Sequence, residues 1–300
     1  MMSRWIGVFS FLAGMASLWF TTNAHAITPY IIIDADSGAV MQESKADVPW
    51  YPASLTKLMT LYVTFEQLSK KKLSLASEMT TSLKASQQPN KKLGLEKGEV
   101  ISVEKAIYAL STISANDAAV VLAEHIAGSE KKFARLMNKT AKAVGMQDTV
   151  FRNASGLPDA KQQTTARDMA ILAQAIIKNY PQYYHVFANR ALTHNGEELL
   201  SHNAFLYQYQ GAEGFKTGYT CGSGYNLVAS AKQGDVRLIS VVLGAETPQK
   251  RLQLTTQLLN EGFELTPDAP GLMLVAFRRS VPLSAEPEYV IERPGCAILR

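Results

Sequence analysis

In Ser54-Leu55-Thr56-Lys57 a hydroxyl and an amine stand three residues apart. On a helix, side chains at i and i+3 share a face and can meet. A serine hydroxyl is a weak nucleophile that needs a base, and Lys57 can serve if burial or a nearby cation lowers its pKa. A helix start adds positive partial charge, which favours an oxyanion developing on an attacked carbonyl. By itself the spacing is weak evidence, because Ser-x-x-Lys arises by chance in many helices. Two more polar triplets follow, Ser114-Ala115-Asn116 and Lys216-Thr217-Gly218. Each is bland alone; their order and the elements that carry them give them weight.

Those elements are set by hydrophobic patterning. From Tyr30 to Asp34 an apolar, β-branched run meets the turn former Asp36-Ser37-Gly38 and resumes as Ala39-Val40-Met41, which predicts strand, tight turn and strand. Pro49 and Pro52 bracket an extended approach to Ala53-Ser54. Leu55, Leu58, Met59, Tyr62, Phe65 and Leu68 then recur at helical spacing, so Ser54 opens a buried amphipathic helix. Further helical patterns run through Val103 to Leu110, Asp117 to Ile126, Lys131 to Val144 and Arg167 to Ile177. Thr165, with Asp168 three residues on, gives the last a capping-box-like start. Ser114-Ala115-Asn116 falls between two of these helices. Beyond them, Glu213 to Thr220, Tyr225 to Ala231 and Val236 to Leu243 read as strands separated by glycine-bearing turns, with Lys216-Thr217-Gly218 on the first. A helix from about Pro248 to Gly262 follows. The order of strands, helices, strands and helix predicts an α/β chain of the α+β kind, an antiparallel sheet flanked by helices with an all-helical lobe inserted between its parts.

The ends are read separately. A positive Met1 to Arg4, the apolar run Trp5 to Phe20 and the small-x-small Ala24-His25-Ala26 predict a signal peptide over residues 1–26 and export of the remainder. The apolar run is shorter than the ~20 residues of a spanning helix. Residues 27–265 form the expected single domain. Residues 266–300 carry prolines at 267, 270, 282, 287 and 294 and read as a short tail without a domain of its own, although Gly271 to Phe277 and Tyr289 to Ile291 could be short strands. A formal charge of +4, lowered by one on loss of Arg4, is too mild to argue for nucleic acid. Lys70-Lys71-Lys72, Lys91-Lys92 and Lys131-Lys132 are short and separated, and read as solvated edges.

With these placements the chain resembles the low-molecular-mass D-alanyl-D-alanine carboxypeptidases, penicillin-binding proteins whose fold is that of β-lactamases and transpeptidases. The resemblance rests on Pro52 to Thr60, Ser114 to Ala119, Asn153-Ala154-Ser155-Gly156-Leu157-Pro158, Thr164 to Ala170 and Gly214 to Thr220, and covers roughly residues 28 to 265. It implies that Ser54 attacks the D-alanyl-D-alanine bond of peptidoglycan stem peptides while Lys57 takes its proton. Ser114 would relay a proton to the leaving D-alanine, and Asn116 would bond a substrate amide or hold Lys57. Lys216 and Thr217 would meet the terminal carboxylate, and the N–H groups of Ser54 and Tyr219 would form the oxyanion hole. Gly218, without a side chain, would leave the strand open to an extended peptide. Arg251 matches a carboxylate-binding arginine by its spacing from Lys216, and reads equally as a solvated helix charge. No metal or organic cofactor is implied, and β-lactams are the expected covalent inhibitors. The expected enzyme is periplasmic and mainly soluble, with no stable membrane anchor.

Ser201-His202-Asn203 departs from the pattern, occupying a stretch where related enzymes often carry an arginine. A class A β-lactamase would also need a Glu-x-x-x-Asn for deacylation, and none lies between Asn116 and Lys216. Endopeptidase action on cross-links uses the same chemistry and stays open, whereas a wall-binding protein without turnover would not need every nucleophile, base and carboxylate position filled. Cys221 and Cys296, the only cysteines, would meet an oxidising compartment after export, where a disulfide between them and two unpaired thiols are both open.

Overall fold

The computed structural model describes residues 28–89 and 91–265, together with the backbone of residues 272 and 273. The proposed signal peptide, Cys296 and most of the tail therefore lie outside the described residues.

Strand β1 (Tyr30–Asp34) carries Ile31, Ile32 and Ile33 in succession, all with no exposure, which requires cover on both faces of the sheet. It lies mid-sheet, antiparallel both to β2 (Ala39–Ser44) and to β9 (Val236–Ala245). In the turn joining β1 to β2, the Asp34 carboxylate accepts the Ser37 N–H (2.7 Å) and hydroxyl (2.6 Å). Strands β7 (Ala212–Thr220) and β8 (Gly224–Gln233) extend the sheet, and the short β10 (Leu272–Met273) closes its other side, giving the order β10-β2-β1-β9-β8-β7 with every pair antiparallel. Strand β7 is thus an edge, with one row of backbone groups unpaired within the sheet.

Helix α8 (Pro248–Glu264) covers one face, packing Leu258 and Leu259 on Ile32, Leu227 and Leu238. The opposite face meets the helical lobe, whose axis is α1 (Thr56–Ser69). Thr56 through Phe65 are all buried there, as expected of a helix surrounded by others. Around it stand α3 (Val103–Thr112), α4 (Asn116–Ala127), α5 (Glu130–Val144) and α6 (Ala166–Asn179). The short α2 (Leu83–Ser86) and the hairpin β3 (Glu78–Thr80) and β4 (Val100–Ser102) lie at the lobe's rim. A second hairpin, β5 (Ala191–His194) and β6 (Glu197–Leu200), and α7 (Phe205–Gln208) lead into β7. Lobe and sheet are joined by aromatic rings, Phe65 of α1 meeting Phe187 (6.3 Å), which meets Phe215 of β7 (4.8 Å).

The Thr165 hydroxyl caps α6, accepting the Asp168 N–H (3.0 Å). The reciprocal half of the expected box is missing. Buried Asp168 instead accepts from Gln147 N–H (3.1 Å), Asp148 N–H (2.8 Å) and the Thr149 hydroxyl (2.7 Å), so it organises the loop after α5. Arg167, also buried, ties α6 to the β1-β2 hairpin through Glu43 (2.5 Å) and Asp47 (2.7 Å).

Candidate active site

Ser54 sits on a 3-10 turn, Ala53–Leu55, immediately before α1. Three neighbours set its shape. Buried Asn226 of β8 donates its amide to the carbonyls of Tyr51 (3.0 Å) and Pro52 (3.2 Å) and accepts the Gly244 N–H (2.8 Å). Trp50, just upstream, exchanges backbone bonds with Thr164 (2.7 and 2.8 Å) and donates its indole N–H to Ser223 (2.8 Å). Gly156, at φ +85°, approaches so closely that a Cβ there would lie 1.8 Å from the Ala53 carbonyl oxygen.

One turn along α1, Lys57 is fully buried. Its amine lies 2.6 Å from the Ser155 carbonyl, 2.8 Å from Asn116 Oδ1 and 3.3 Å from Ser54 Oγ. The Asn116 amide is oriented by its own Nδ2, which donates to the Pro89 carbonyl (3.0 Å) and so turns Oδ1 towards Lys57. The first two partners can only accept, and a neutral amine has two N–H bonds and one lone pair. In the neutral form of Lys57 both N–H bonds would therefore be taken, which would leave the lone pair for the Ser54 hydroxyl. Burial, followed by the charges of Lys216 and Lys91, holds the Lys57 pKa well below its ordinary value, while Asp117 acts weakly in the other direction.

Ser114 occupies the turn between α3 and α4 at φ +65°, a conformation a non-glycine residue adopts only when its surroundings hold it there. Its hydroxyl is buried without a hydrogen-bond partner among the described residues. The loop bearing Ser155 and Gly156 is folded by Asn153 Oδ1, which accepts the Gly156 N–H (2.7 Å), and by buried Glu130, which accepts the Ala154 N–H (3.0 Å) and pairs with Lys84 of α2 (2.5 Å).

Opposite this loop runs β7. Lys216 is buried, its amine on the Thr217 carbonyl (3.0 Å), and burial together with the charges of Lys91 and Arg251 brings its pKa down to about 7. Thr217 is half-buried beside it. A Cβ on Gly218 would stand 3.1 to 3.2 Å from the Pro52 carbonyl and the N–H groups of Ser54 and Leu55. Its missing side chain thus admits the Ser54 turn against β7, where the sequence suggested room for an incoming peptide. Tyr219 is exposed and stacks on Tyr225 (4.3 Å).

Arg251 is no solvated charge. It is buried against β8, with Nη1 at 3.4 Å from the Asn226 carbonyl and its guanidinium over the Tyr225 ring, and burial lowers its pKa to about 10. His202 is exposed at the surface, and partial desolvation with the charges of Lys91 and Lys216 pushes its pKa down to about 4. The structure therefore brings together Ser54, Lys57, Ser114, Asn116, Lys216, Thr217, Gly218, Tyr219 and Arg251. Sequence reasoning missed Lys91, Glu130, Gly156 and Asn226, whose roles depend on contacts between distant segments; the Gly in Asn153-Ala154-Ser155-Gly156 was the one local signal. Cys221, in the turn from β7 to β8, is disulfide-bonded.

Comparison with known proteins gives the same picture. Residues 19–247 match the family described as D-alanyl-D-alanine carboxypeptidase. The chain is 39% identical over 260 residues to D-alanyl-D-alanine carboxypeptidase DacC of Escherichia coli, covering 83% of this chain and 65% of that protein. It is 36% identical to DacF of Bacillus subtilis, over 80% of this chain and 63% of that one. The chain thus spans a little under two thirds of these relatives' lengths. Among solved structures, penicillin binding protein 5 from Haemophilus influenzae superposes with a TM-score of 0.76 at 36% identity, covering 78% of this chain and 70% of that one. Penicillin-Binding Protein D2 from Listeria monocytogenes, in its ampicillin-bound form, gives 0.69 at 32%, covering 79% and 96%. With its Ser54 turn, buried Lys57 amine and edge strand arranged as described, the chain belongs to the D-alanyl-D-alanine carboxypeptidase family.

Proposed function

We propose that this protein removes the terminal D-alanine from peptidoglycan stem peptides through an acyl-enzyme on Ser54. The observation that carries the reading is the buried Lys57 amine, whose two acceptor-only partners leave its lone pair for the Ser54 hydroxyl. Lys57 takes the Ser54 proton as Oγ bonds to the penultimate D-alanine carbonyl carbon. The resulting oxyanion lies between the N–H groups of Ser54 and Tyr219, and a donor of this kind is worth on the order of 3 kcal/mol. Collapse breaks the C–N bond, the amine leaving with a proton passed from Lys57 through Ser114, and water then hydrolyses the ester. The peptide lies along the unpaired edge of β7, with its carboxylate at Lys216, Thr217 and Arg251. β-Lactams would acylate the same hydroxyl, in keeping with relatives named for penicillin binding and with the ampicillin-bound and cefotaxime-bound structures of Penicillin-Binding Protein D2.

We further propose cleavage after residue 26 and a periplasmic location. No helix among the described residues is long and apolar enough to cross a membrane. The direct test is product analysis on a peptide ending in D-Ala-D-Ala and on a cross-linked muropeptide. D-Alanine release that is lost in Ser54→Ala supports the reading. Cleavage of the cross-link alone would replace it with an endopeptidase, and release that survives Ser54→Ala would overturn it.

A further inference from the structure

Lys57 makes its shortest contact with a loop rather than with a helix or strand. Residues 153–157 form neither, yet the Ser155 carbonyl accepts the Lys57 amine at 2.6 Å, closer than Asn116 Oδ1 (2.8 Å) or Ser54 Oγ (3.3 Å). Ala154 and Ser155 are buried, so their backbone groups need partners that no ladder or helix supplies. Helix α1 meets part of that need. Its residues Lys57 and Thr60, one turn apart on a shared face, donate to two consecutive carbonyls, Lys57 to Ser155 and the Thr60 hydroxyl to Ala154 (2.7 Å). Within the loop, Asn153 closes the turn, accepting the Gly156 N–H (2.7 Å) and donating to the Leu157 carbonyl (2.9 Å).

A further anchor is Glu130. As the first residue of α5 it stands where acids are common, because they face the positive end of a helix. Its carboxylate is turned into the interior instead. Glu130 is buried, with Oε1 accepting the Ala154 N–H (3.0 Å) and Oε2 against the amine of half-exposed Lys84 on α2 (2.5 Å). A buried carboxylate is costly unless it is both paired and hydrogen-bonded, and here the two tasks fall to different oxygens. The oxygen that reaches inward holds the peptide just before the Lys57 acceptor. Glu130 and Thr60 thus grip Ala154 by its N–H and its carbonyl, and the Ser155 carbonyl follows one peptide on.

We propose that Glu130 is a positioning residue for the base: by holding the Ala154 N–H it fixes the Ser155 carbonyl that accepts from Lys57, and so aims the Lys57 amine at Ser54. The proposal rests on the function proposed above, in which Lys57 is that base. What the role requires of residue 130 is an acceptor with the right reach, not a charge. Glu130 acts through the loop opposite β7, so its effect appears in the acylation step and not in binding.

The test is stopped-flow acylation by a fluorescent penicillin, separating the binding constant from the first-order acylation constant, in the wild type, Glu130→Gln, Glu130→Asp and Lys84→Met. Gln keeps the reach and loses the charge, whereas Asp keeps the charge and withdraws the acceptor by one methylene. Glu130→Gln should acylate within about threefold of the wild type and Glu130→Asp about tenfold more slowly, with binding within about twofold in both; a shift near 1 Å at a reacting group costs roughly a hundredfold, and the loop takes up part of it. Lys84→Met should stay within about twofold, the scale of a half-exposed ion pair. A purely structural role of the ion pair would instead slow Glu130→Gln and Lys84→Met together and spare Glu130→Asp. That order, a wild-type rate in Glu130→Asp, or a loss confined to binding overturns the proposal. The first-order constant does not depend on how much of the chain is folded, and a strongly slowed Glu130→Gln overturns the proposal even if Glu130→Asp folds poorly. Labelling of the wild type at Ser54 is read separately, and its absence would count against the proposed function itself.

Discussion

Gly156→Ala isolates the contact between the Ser155-Gly156 loop and the nucleophile turn. The new Cβ would lie 1.8 Å from the Ala53 carbonyl oxygen and 3.0 Å from the Ser54 nitrogen, whereas real Cβ contacts essentially never fall below 3.0 Å. The opposing atom is backbone, so no rotamer change relieves the clash; loop and turn must part by about 1.2 Å. A displacement near 1 Å at a reacting group costs roughly a hundredfold in rate. The left-handed φ of +85° adds about 1–2 kcal/mol of strain. Gly128→Ala is the control, since Gly128 ends α4 at φ +74° and an alanine methyl there would have no heavy atom within 4 Å. Both variants should lose stability through backbone strain, but only Gly156→Ala should lose acylation, by about a hundredfold. Stopped-flow acylation by a fluorescent penicillin, alongside thermal unfolding, measures both. A folded Gly156→Ala protein that acylates at the wild-type rate would refute the idea that this contact sets the nucleophile's position.

Other expectations follow from burial and charge. As pH rises, loss of the proton from Lys57 favours acylation, while Lys216 loses its charge near pH 7 and its grip on the substrate carboxylate; kcat/KM should therefore be bell-shaped, with the alkaline limb displaced upward in Lys216→Arg. Between pH 7 and 10.5 the unfolded chain binds the proton that folded Lys216 has given up, so unfolding free energy in urea should increase across that window through this group. Asn226→Leu removes the amide from the Tyr51 and Pro52 carbonyls, of which Pro52 keeps the Leu55 N–H (3.1 Å), and takes the acceptor from the Gly244 N–H; it should cost about 1–3 kcal/mol by urea unfolding, with acylation impaired in the protein that still folds. A bridge from Cys221 to Cys296, proposed because these are the chain's two cysteines, closes a loop of about 75 residues and is worth about 4 kcal/mol on the chain-entropy account. Proteolysis and mass spectrometry without reduction should yield the linked peptide, and two alkylatable thiols would exclude it.

The long elements were legible because burial on one side leaves a periodic trace. Leu58, Met59, Tyr62 and Phe65 announced α1, and the Ile31-Ile32-Ile33 run announced β1. The short hairpins left almost none. Asn195-Gly196 sits between β5 and β6 with φ of +50° and +82°, the turn that an Asn-Gly pair favours, and it was the available signal for that hairpin. The side chains proposed to react were legible through local spacing and family resemblance. Their supports were not, because the Asn226 amide and the Glu130 carboxylate meet the site from other parts of the chain. Lys91 shows the limit most clearly: two adjacent lysines look alike in sequence, yet the backbone carbonyl of one accepts the Asn116 N–H (2.8 Å) while the amine of the other lies 3.4 Å from the Ser86 carbonyl.

The central claim is that Ser54 is the acylated hydroxyl and Lys57 the base that activates it. Intact-protein mass spectrometry after incubation with benzylpenicillin, followed by peptide mapping, tests this most directly. One penicilloyl group per chain, on the peptide containing Ser54, is expected for the wild type, with none on Ser54→Ala and strongly slowed labelling of Lys57→Ala. An adduct on another residue, or one that persists in a folded Ser54→Ala protein, would contradict the account.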